Sequence, residues 1–355
     1  MSMKGLILAA GRGTRLRPLT HTRPKPAIRV AGRPIIHYAV ENLTRSGITE
    51  IGVVVSPDTA KDIRLALNGF KDARLTYIVQ EESQGLAHAV RVAREWLGDS
   101  PFVMYLGDNL FEHGVARFVK AFQQDEADAV IALVPVENPQ QFGVAVVEGG
   151  RIVRLLEKPQ NPPTNLAVAG VYVFTPEIHE IIAGLEPSAR GEYEITDAIQ
   201  GLIDRGRAVR GVTVEGWWKD TGRPHDLLDA NRLLLEGLEP RVEGLVSGSR
   251  VTGRVVIEPG ASVLDSTILG PALIASGAVV ESAFIGPFTS VGPGAQVRRA
   301  EVEFSILEDK AVVEDVNLRI QECILGVGSK VTTRKGLPKA HKLVLGDKSV
   351  VEVGE

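Results

Sequence analysis

The stretch LILAAGRGTRLRPLT, residues 6–20, joins an apolar run to a glycine-rich turn that is followed by arginines. The apolar run is typical of a strand that is buried on both faces of a sheet. Glycines directly after such a strand allow backbone N–H groups to approach phosphate oxygens closely. Arginine can bind two phosphate oxygens at once. The stretch therefore predicts an anion-binding site at the carboxyl end of a buried strand.

Two familiar phosphate loops do not match this turn. A dinucleotide-binding loop needs G-x-G-x-x-G, and Leu16 occupies the third glycine position after Gly11 and Gly13. A P-loop needs G-x-x-x-x-G-K-[ST], and no such string occurs in the chain. The turn instead carries Arg15 and is followed by the cationic sequence RPKPA at residues 23–27. Taken alone, these cations indicate either a phosphate site of another kind or a solvated surface turn.

The composition of the 355-residue chain is that of a soluble globular protein, and its length favours two domains. A net charge of -4 without long runs of one sign disfavours nucleic-acid binding. The single cysteine, Cys323, rules out an intrachain disulfide and a thiolate metal cluster. The apolar runs are too short for a secretory signal or for a membrane span of about 20 residues. We therefore expect a reducing, cytoplasmic location.

Up to about residue 240, short apolar runs rich in Val, Ile and Leu alternate with stretches of helical spacing. The predicted strands are residues 4–9, 50–56, 75–80, 102–108 and 129–136, and the predicted helices are residues 35–47, 85–98 and 115–122. Gly47 and Gly98 stand where helix C-caps are expected. This alternation predicts an α/β domain with a largely parallel sheet covered by helices. Ligands of such sheets bind beyond the carboxyl ends of the strands.

From residue 241 onward, apolar residues recur about every six positions. The clearest positions are Val251, Ile257, Val263, Ile268, Ile274, Val280, Ile285, Val291 and Val297, and the pattern loosens at Ile306, Val312 and Leu318. Such hexapeptide repeats are typical of a left-handed parallel β-helix, whose coils stack into one core. A β-sandwich also has short strands, but it would not keep the six-residue step over so many repeats. We therefore predict an α/β domain at residues 1–240 and a β-helix domain at residues 241–355, with an irregular tail from Thr332.

An ordered set of motifs spans nearly all of the first 225 residues. The motifs are LAAGRGTRLRPLT (8–20), RPKPA (23–27), QGLAHAV (84–90), LGDN (106–109), FGVAVVE (142–148), EKP (157–159), NLAVAGVYVF (165–174), GEYEITDAI (191–199) and WWKDTG (217–222). Together they resemble the sugar-phosphate nucleotidyltransferases, in the long form that carries a C-terminal β-helix. The resemblance implies a Rossmann-like, mixed but mainly parallel sheet in the first domain.

The same resemblance implies a reaction. We expect dTTP and glucose 1-phosphate to give dTDP-glucose and pyrophosphate in the presence of Mg²⁺. Such a reaction needs no general base and no covalent nucleophile, because the attacking phosphate oxygen is already ionised. It does need charge neutralisation and alignment of two polyanions.

Site residues are implied at the positions that match the family's motifs. Arg15, Lys25 and Asp108 are the implied catalytic residues, the first two acting on the triphosphate, and Asp108 and Asp220 are the implied Mg²⁺ ligands. The implied nucleotide-binding residues are Leu8, Ala10, Gly11, Gly13, Thr14, Arg15, Lys25, Gln80 and Gly85. The implied sugar-phosphate-binding residues are Asn109, Gly143, Glu157, Lys158, Val168 and Gly170, with Lys158 facing the phosphate and Glu157 the sugar hydroxyls.

The side chain of Gln80 bears on the choice of base. An amide donor and acceptor side by side complement the imide edge of thymine or uracil, so dTTP and UTP both remain open. A pocket discriminates a methyl-sized difference by only about 1–3 kcal/mol. A hexosamine 1-phosphate or another sugar phosphate in place of glucose 1-phosphate is a further alternative. A non-catalytic regulatory subunit is a different one, but this chain keeps the cationic loop and the acidic residues that such a subunit should lose.

The histidines bear on the role of the predicted β-helix. Acyltransferases with this architecture use a histidine base between coils, and none of the seven histidines lies within residues 251–331. We therefore expect the β-helix to support homo-oligomerisation or to act as a regulatory scaffold rather than to form a second enzyme.

Overall fold

The computed structural model describes residues 2–11, 13–124, 126–333 and 349–352. Its contacts divide the chain into two compact units, the first formed by Met1–Arg12 and Ile35–Asp220 and the second by Gly13–Pro34 and Thr221–Glu355. The division into domains at residues 240 and 241 stays a prediction. Most of the C-terminal tail, with His341, lies outside the described residues.

The elements are numbered along the chain. The strands up to residue 220 are β1 (Lys4–Leu8), β2 (Arg29–Val30), β3 (Arg33–Pro34), β4 (Glu50–Val55), β5 (Arg74–Val79), β6 (Phe102–Leu106), β7 (Asn109–Phe111), β8 (Ala129–Pro135), β9 (Gly143–Glu148), β10 (Arg151–Glu157), β11 (Leu166–Phe174), β12 (Val209–Thr213) and β13 (Trp218–Asp220). The α-helices are α1 (Ile35–Arg45), α2 (Ala60–Ala66), α3 (Leu86–Val92), α4 (Arg94–Leu97), α5 (Ala116–Gln124), α6 (Ile178–Ala183), α7 (Ile195–Asp204) and α8 (Pro224–Glu236). Short 3-10 helices occur at Thr14–Leu16, Leu19–His21, Lys25–Ala27 and Pro139–Gln141.

The first unit is built on a nine-stranded sheet with the order β5-β4-β1-β6-β11-β8-β12-β10-β9. The pairs β5–β4, β4–β1, β1–β6 and β8–β12 are parallel. Strand β11 runs antiparallel to both β6 and β8, and β10 runs antiparallel to β12 and β9. All five strands predicted from the apolar runs are present, and the sheet is mixed, as expected. It is not mainly parallel, however, because the neighbours of β11 and β10 all run antiparallel to them.

The carboxyl ends of the four parallel strands β5, β4, β1 and β6 meet at one edge of this sheet. The backbone N–H of Gly107 donates to the carbonyl of Leu8 at 2.9 Å, and that of Gln80 donates to the carbonyl of Val55 at 2.8 Å. The segments that follow β1, β5 and β6 therefore leave the sheet side by side. In open α/β sheets this edge is where ligands bind.

Helices α3, α6 and α7 supply buried side chains to the main core of the first unit. Phe102, Tyr105 and Phe174 are fully buried, and Phe102 and Phe174 lie opposite each other on β6 and β11. Burying an aromatic or large aliphatic side chain stabilises a fold by about 1.5–3 kcal/mol.

The predicted helices at residues 35–47 and 115–122 are present, and the third, at residues 85–98, is divided into α3 and α4.

The second unit contains short strands that all run parallel within three sheets. These strands are β14 (Arg241–Val242), β15 (Leu245–Ser247), β16 (Arg250–Thr252), β17 (Val255–Ile257), β18 (Ser262–Leu264), β19 (Thr267–Leu269), β20 (Ala272–Ile274), β21 (Val279–Glu281), β22 (Phe284–Ile285), β23 (Thr289–Val291), β24 (Gln296–Arg298), β25 (Glu301–Glu303), β26 (Ile306–Leu307), β27 (Val312–Glu314), β28 (Ile320–Gln321), β29 (Ile324–Leu325) and β30 (Lys330–Thr332). Each strand pairs with the third one after it, as in β15-β18-β21-β24-β27-β30. This arrangement is consistent with a β-helix.

Identical apolar positions stack along the second unit. Val263, Val280, Val297 and Val313 lie opposite one another in successive strands, and all four are fully buried. The sequence pattern placed the last of these at Val312, which is an error of one residue. Leu307, not Ile306, lies opposite Val291 in the stack. Counting six residues on from Ile306 therefore gives Val312, one residue too early.

Leu318 is a second position at which the periodicity misleads, since 54% of this residue is exposed. The partly buried residue that packs on the apolar core there is Ile320.

Among the described residues, no helix combines the length and the apolar character needed to cross a membrane.

The buried imidazole of His179 predicts an acid-sensitive part of the first unit. His179 is 8% exposed and stacks on Phe102 with ring centres 5.6 Å apart. Burial, with a further contribution from Arg94, lowers its pKa from 6.5 to about 4. The unfolded chain therefore binds more protons between these values, so stability should fall as the pH drops from 6.5 towards 4.

His179→Leu should remove that part of the pH dependence. The measurement is the free energy of unfolding by urea at pH 7 and at pH 5 for both proteins. We expect a smaller difference between the two pH values in the variant than in the wild type. Equal differences would contradict the account of His179.

Candidate functional site

The two predicted metal-binding acids lie in the turn after β6 and at the end of β13. Asp108 lies in this turn, and the amide of Asn109 donates to its Oδ1 at 2.9 Å. Strand β7, which begins with Asn109, pairs antiparallel with β13, and Asn109 lies directly opposite Asp220. The backbone of Asp220 therefore pairs with the residue that follows Asp108, at the carboxyl edge of the sheet.

The side chain of Asn109 is the centre of this arrangement. It is only 3% exposed, and its Oδ1 accepts a hydrogen bond from the indole N–H of Trp218 at 2.8 Å. The buried hydroxyl of Tyr105 donates to the backbone carbonyl of Asn109 at 3.2 Å and accepts from the side-chain amide of Asn42 at 3.0 Å. Every one of these contacts restricts the turn that carries Asp108, because buried polar groups are costly when unpaired.

The donor set fits a magnesium ion that also binds substrate. Within the described part of the chain, no group of three or more His, Cys, Asp or Glu side chains could hold a metal ion. Asp108 and Asp220 supply only two carboxylates. Mg²⁺ is commonly held by one or two carboxylates and completes its octahedron with substrate phosphates and water. The pair therefore suits a metal that arrives with a polyphosphate rather than a permanent metal centre.

The predicted base-binding residues follow β5. Gln80 is 3% exposed, and its Nε2 donates to Nδ1 of His88 at 2.9 Å. Burial, and then the positive charge of Arg91, lowers the pKa of His88. A neutral imidazole can accept this hydrogen bond, so His88 fixes the orientation of the glutamine amide.

Gly85 occupies a position that only glycine fits. Its φ is 102°, and a Cβ placed there would lie 2.6 Å from the carbonyl oxygen of Tyr193. The backbone of Tyr193 bonds on both sides of this glycine, to the carbonyl of Gln84 and the N–H of Ala87. Gly85 therefore lets the start of α3 approach another loop closely.

The predicted sugar-phosphate residues form an ionic cluster at the end of β10. Glu157 Oε1 lies 3.3 Å from Nζ of Lys158 and 3.1 Å from a guanidinium nitrogen of Arg190. Its Oε2 accepts from the hydroxyl of Thr196 at 3.1 Å. Lys158 has a left-handed φ of 39°, and its N–H donates to the carbonyl of Phe142. Strained backbone of this kind is concentrated at functional sites.

Gly143 and Val168 complete the surroundings of Glu157. A Cβ at Gly143 would lie 2.8 Å from Cγ2 of Thr196, 3.4 Å from Cγ2 of Val168 and 3.5 Å from Oε2 of Glu157. Gly143 is paired with Glu157 across β9 and β10. The structure therefore brings these sugar-site candidates into one cluster.

Burial and like charge raise the pKa of carboxyl groups around this cluster. The pKa of Asp197 is raised first by burial and then by the negative charge of Glu157. The pKa of Glu194 is raised mainly by burial, while a hydrogen bond from Ser188 and the charge of Arg190 lower it. Titratable groups perturbed in this way are typical of functional clefts.

The remaining nucleotide-site candidates belong to separate units. In the first unit, Leu8 ends β1, and Ala10 and Gly11 follow it. The candidates in the second unit are Gly13, Thr14, Arg15 and Lys25. Gly13 has a left-handed φ of 57°, and a Cβ there would lie 3.1 Å from Cβ of Lys25. Lys25 is only 7% exposed, whereas Thr14 and Arg15 are exposed. The shared role of these residues stays a prediction.

Four side chains that contact the predicted site residues were not themselves predicted from the sequence. His88, Thr196 and Trp218 lie within the motifs at residues 84–90, 191–199 and 217–222, so the resemblance contained the signal. Arg190 lies just before the motif at residues 191–199, and no sequence pattern distinguishes it from other surface arginines. Its role depends on the fold, which places it beside Glu157.

The first unit has a mixed α/β fold, and comparison with known proteins gives the family. The family model described as nucleotidyl transferase matches residues 4–237. The chain therefore belongs to the nucleotidyl transferase family.

Relatives with named activities extend over the whole chain. The chain is 46% identical over 356 residues to the glucose-1-phosphate thymidylyltransferase of Streptomyces antibioticus, with 99% of each protein covered. It is 44% identical over 355 residues to that of Streptomyces griseus, again with 99% of each covered. A crystal structure of a Bacillus anthracis protein assigned as a glucose-1-phosphate thymidylyltransferase matches with a TM-score of 0.62 and 34% identity, covering 65% of this chain and 95% of that one.

The close approach of Gly170 to Asn109 gives a prediction with a matched control. Gly170 has a φ of 74°, and a Cβ there would lie 2.9 Å from Cγ of Asn109. Gly206 has nearly the same φ, 73°, but among the described residues a Cβ there meets nothing within 4 Å. Gly206→Ala should therefore lower the free energy of unfolding by about 1–2 kcal/mol, through backbone strain alone.

Gly170→Ala should cost this strain and a further amount of about 1–3 kcal/mol, because the Asn109 side chain must move. The measurement is the free energy of unfolding of both variants and the wild type. Equal losses in the two variants would mean that the contact between Gly170 and Asn109 does not restrict the site.

Proposed function

We propose that this protein transfers a thymidylyl group from dTTP to glucose 1-phosphate, releasing pyrophosphate and forming dTDP-glucose. The observation that carries the proposal is the 46% identity over 99% of the chain to a glucose-1-phosphate thymidylyltransferase. The grouping of the predicted residues Asp108, Asn109 and Asp220 at the carboxyl edge of the sheet supports it.

In the proposed mechanism the chain aligns two polyanions. Arg15 and Lys25 neutralise the triphosphate and stabilise the charge that develops on the departing pyrophosphate. The attacking oxygen of glucose 1-phosphate is already ionised, so no side chain must remove a proton. Asp108 and Asp220 hold Mg²⁺, which when bound would supply charge neutralisation and orientation of the phosphates.

The proposed base site depends on the orientation of one amide. Since one N–H of Gln80 is engaged by His88, the other N–H and the carbonyl oxygen are left to match O4 and N3–H of thymine. A purine lacks this donor and acceptor pair in the same arrangement. Uracil presents the same edge as thymine, so uridylyl transfer is the second candidate activity.

In the proposed sugar site, Glu157 accepts hydrogen bonds from glucose hydroxyls and Lys158 binds the phosphate. Thr196 and Arg190 already hold the Glu157 carboxylate, so the group is oriented before substrate binds. Asn109, Gly143, Val168 and Gly170 shape the same subsite, and Leu8, Ala10, Gly11, Gly13, Thr14 and Gly85 shape the nucleotide subsite.

We propose that the three parallel sheets of the second unit form a left-handed β-helix of hexapeptide repeats. The recurrence of buried valines at Val263, Val280 and Val297 supports this. We also propose homo-oligomerisation and a cytoplasmic location. Both proposals are based on the composition of the chain and on its resemblance to biosynthetic enzymes.

The choice of substrates is tested by a screen. Pyrophosphate release is measured with dTTP, UTP, ATP, CTP and GTP, each against glucose 1-phosphate and a hexosamine 1-phosphate. We expect the highest kcat/KM with dTTP and glucose 1-phosphate, UTP next, and little release with the purine nucleotides. A purine nucleotide as the best substrate would contradict the role of Gln80.

Asp108→Asn tests the acidic pair. The amide keeps the size of the side chain but loses its charge, so pyrophosphate release should fall by about 10²–10³-fold. Asp99→Asn is the control, because Asp99 is an exposed acid, paired with Arg94, just before the amino end of β6. It should leave the rate unchanged.

Both variants should unfold at the wild-type temperature to within a few degrees, which separates lost chemistry from lost fold. Full activity of Asp108→Asn at ordinary Mg²⁺ concentrations would remove Asp108 from the proposed site.

A further inference from the structure

Within the second unit, the short segment Gly13–Pro34 is fastened to the region that follows β26. Arg23 and Arg29 lie on either side of Lys25 in the sequence RPKPAIR, residues 23–29. In the turn between β26 and β27, the guanidinium of Arg23 reaches both Glu308 and Asp309, and that of Arg29 reaches Asp309. Two cations and two anions thus form one cluster, which we call the acid–arginine cluster.

Glu308 is the buried centre of the acid–arginine cluster, with only 3% of the residue exposed. Its Oε2 lies 2.8 Å from a guanidinium nitrogen of Arg23, and its Oε1 accepts the backbone N–H of Arg29 at 2.7 Å. Asp309 accepts from Nε of Arg29 at 2.7 Å and from the guanidinium of Arg23 at 3.3 Å. A buried carboxyl group requires such partners, because an unpaired one would be strongly destabilising.

A second fastening point lies at the end of the same segment. Asn231 in α8 is fully buried, and its Oδ1 accepts both the backbone N–H of Ala31 at 2.8 Å and the hydroxyl of Ser290 at 2.9 Å. Its amide donates to the carbonyl of Phe288 at 2.9 Å. The segment therefore cannot move as a free loop at this end.

The backbone next to Ala31 packs just as closely. Gly32 has a φ of 76°, and a Cβ there would lie 2.8 Å from Cδ2 of Leu273. Ala31 and Leu273 belong to one small apolar core with Leu235, Val256 and Ala275. These contacts and those of Asn231 anchor the segment independently of the acid–arginine cluster.

Lys25 is placed between the two arginines of the acid–arginine cluster. Pro24 and Pro26 flank it, and each fixes one backbone dihedral angle. With Arg23 and Arg29 both held by acids, a span of seven residues has little freedom left. The backbone on both sides of Lys25 is consequently held by contacts with the turn after β26.

We propose that Glu308 and Asp309 are positioning residues, which orient Lys25 for the triphosphate by holding Arg23 and Arg29. The proposal rests on the proposed function, in which Lys25 binds the nucleotide. It gives the β-strand region of the second unit a part in nucleotide binding, beyond the oligomerisation or regulation expected from the sequence.

The ionisation of Glu308 supplies a characteristic signal. Burial and the negative charge of Asp309 raise its pKa to about 7, against the opposing effect of Arg23 and Arg29. Protonation below this pH weakens the attraction for Arg23. The KM for dTTP should therefore fall as the pH rises through 7, and this dependence should be reduced in Glu308→Gln.

The experiment compares Glu308→Gln and Asp309→Asn with Arg299→Gln in the full-length protein. Arg299 forms an exposed ion pair with Glu314 and Asp315, away from the segment Gly13–Pro34, and serves as the control. We expect both acid variants to raise the KM and the Kd for dTTP on the order of 10- to 100-fold, with the KM for glucose 1-phosphate unchanged. The control should match the wild type.

Combination with Lys25→Met distinguishes positioning from general stabilisation. If Glu308 acts through Lys25, Glu308→Gln should weaken dTTP binding little further once Lys25 has been replaced. Additive losses, or an unchanged Kd for dTTP in both acid variants, would overturn the inference. Asp309 is more exposed than Glu308, so Asp309→Asn keeps the test valid if Glu308→Gln folds poorly.

The proposed function and the positioning role of Glu308 and Asp309 are contradicted by different results. A wild-type protein that binds dTTP but releases no pyrophosphate with any sugar phosphate would contradict the proposed function and leave the Kd comparison to decide the inference. A wild-type protein that turns over, with acid variants identical to it, would contradict the inference alone. Absence of dTTP binding in the wild type would overturn both.

Discussion

The buried side chain of Asn109 holds together the acidic part of the candidate site. It bonds Asp108 in the turn after β6, accepts the indole N–H of Trp218 and lies opposite Asp220 in the pairing of β7 with β13. A carboxamide suits this position because it donates and accepts at once without adding charge. Replacing it by a third carboxylate would put another negative charge beside two acids, at the site proposed to bind polyphosphates.

The ionic cluster around Glu157 is the second group of charges in the candidate site. Glu157 is paired with Lys158 and Arg190, and burial with neighbouring acids raises the pKa of Glu194 and Asp197. A phosphate that binds to Lys158 would compete with Glu157 for the ammonium group. Glu157 keeps Arg190 and Thr196 as partners, so the exchange leaves no carboxylate unpaired.

Much of the first unit could be predicted from the sequence, because buried parallel strands appear as continuous apolar runs. Strands β1, β4, β5, β6 and β8 all lie where those runs occur. The failures have physical causes. The stack contains Leu307 rather than Ile306, so a count of six residues from Ile306 led to Val312. The left-handed backbone of Lys158 is held by a contact 16 residues away, and Arg23 pairs with Glu308 across 285 residues. No local pattern encodes either contact. The motifs contained His88, Thr196 and Trp218, but only the structure assigns their hydrogen bonds.

The central claim is that the chain moves the α-phosphate of dTTP, with its nucleoside, onto a sugar phosphate. The most direct measurement is the fate of dTTP labelled at the α-phosphate, followed in the presence of glucose 1-phosphate and Mg²⁺. The account predicts that the label appears in dTDP-glucose while unlabelled pyrophosphate is released in equal amount. Label that remains in dTDP or dTMP, with no nucleotide sugar formed, would contradict it.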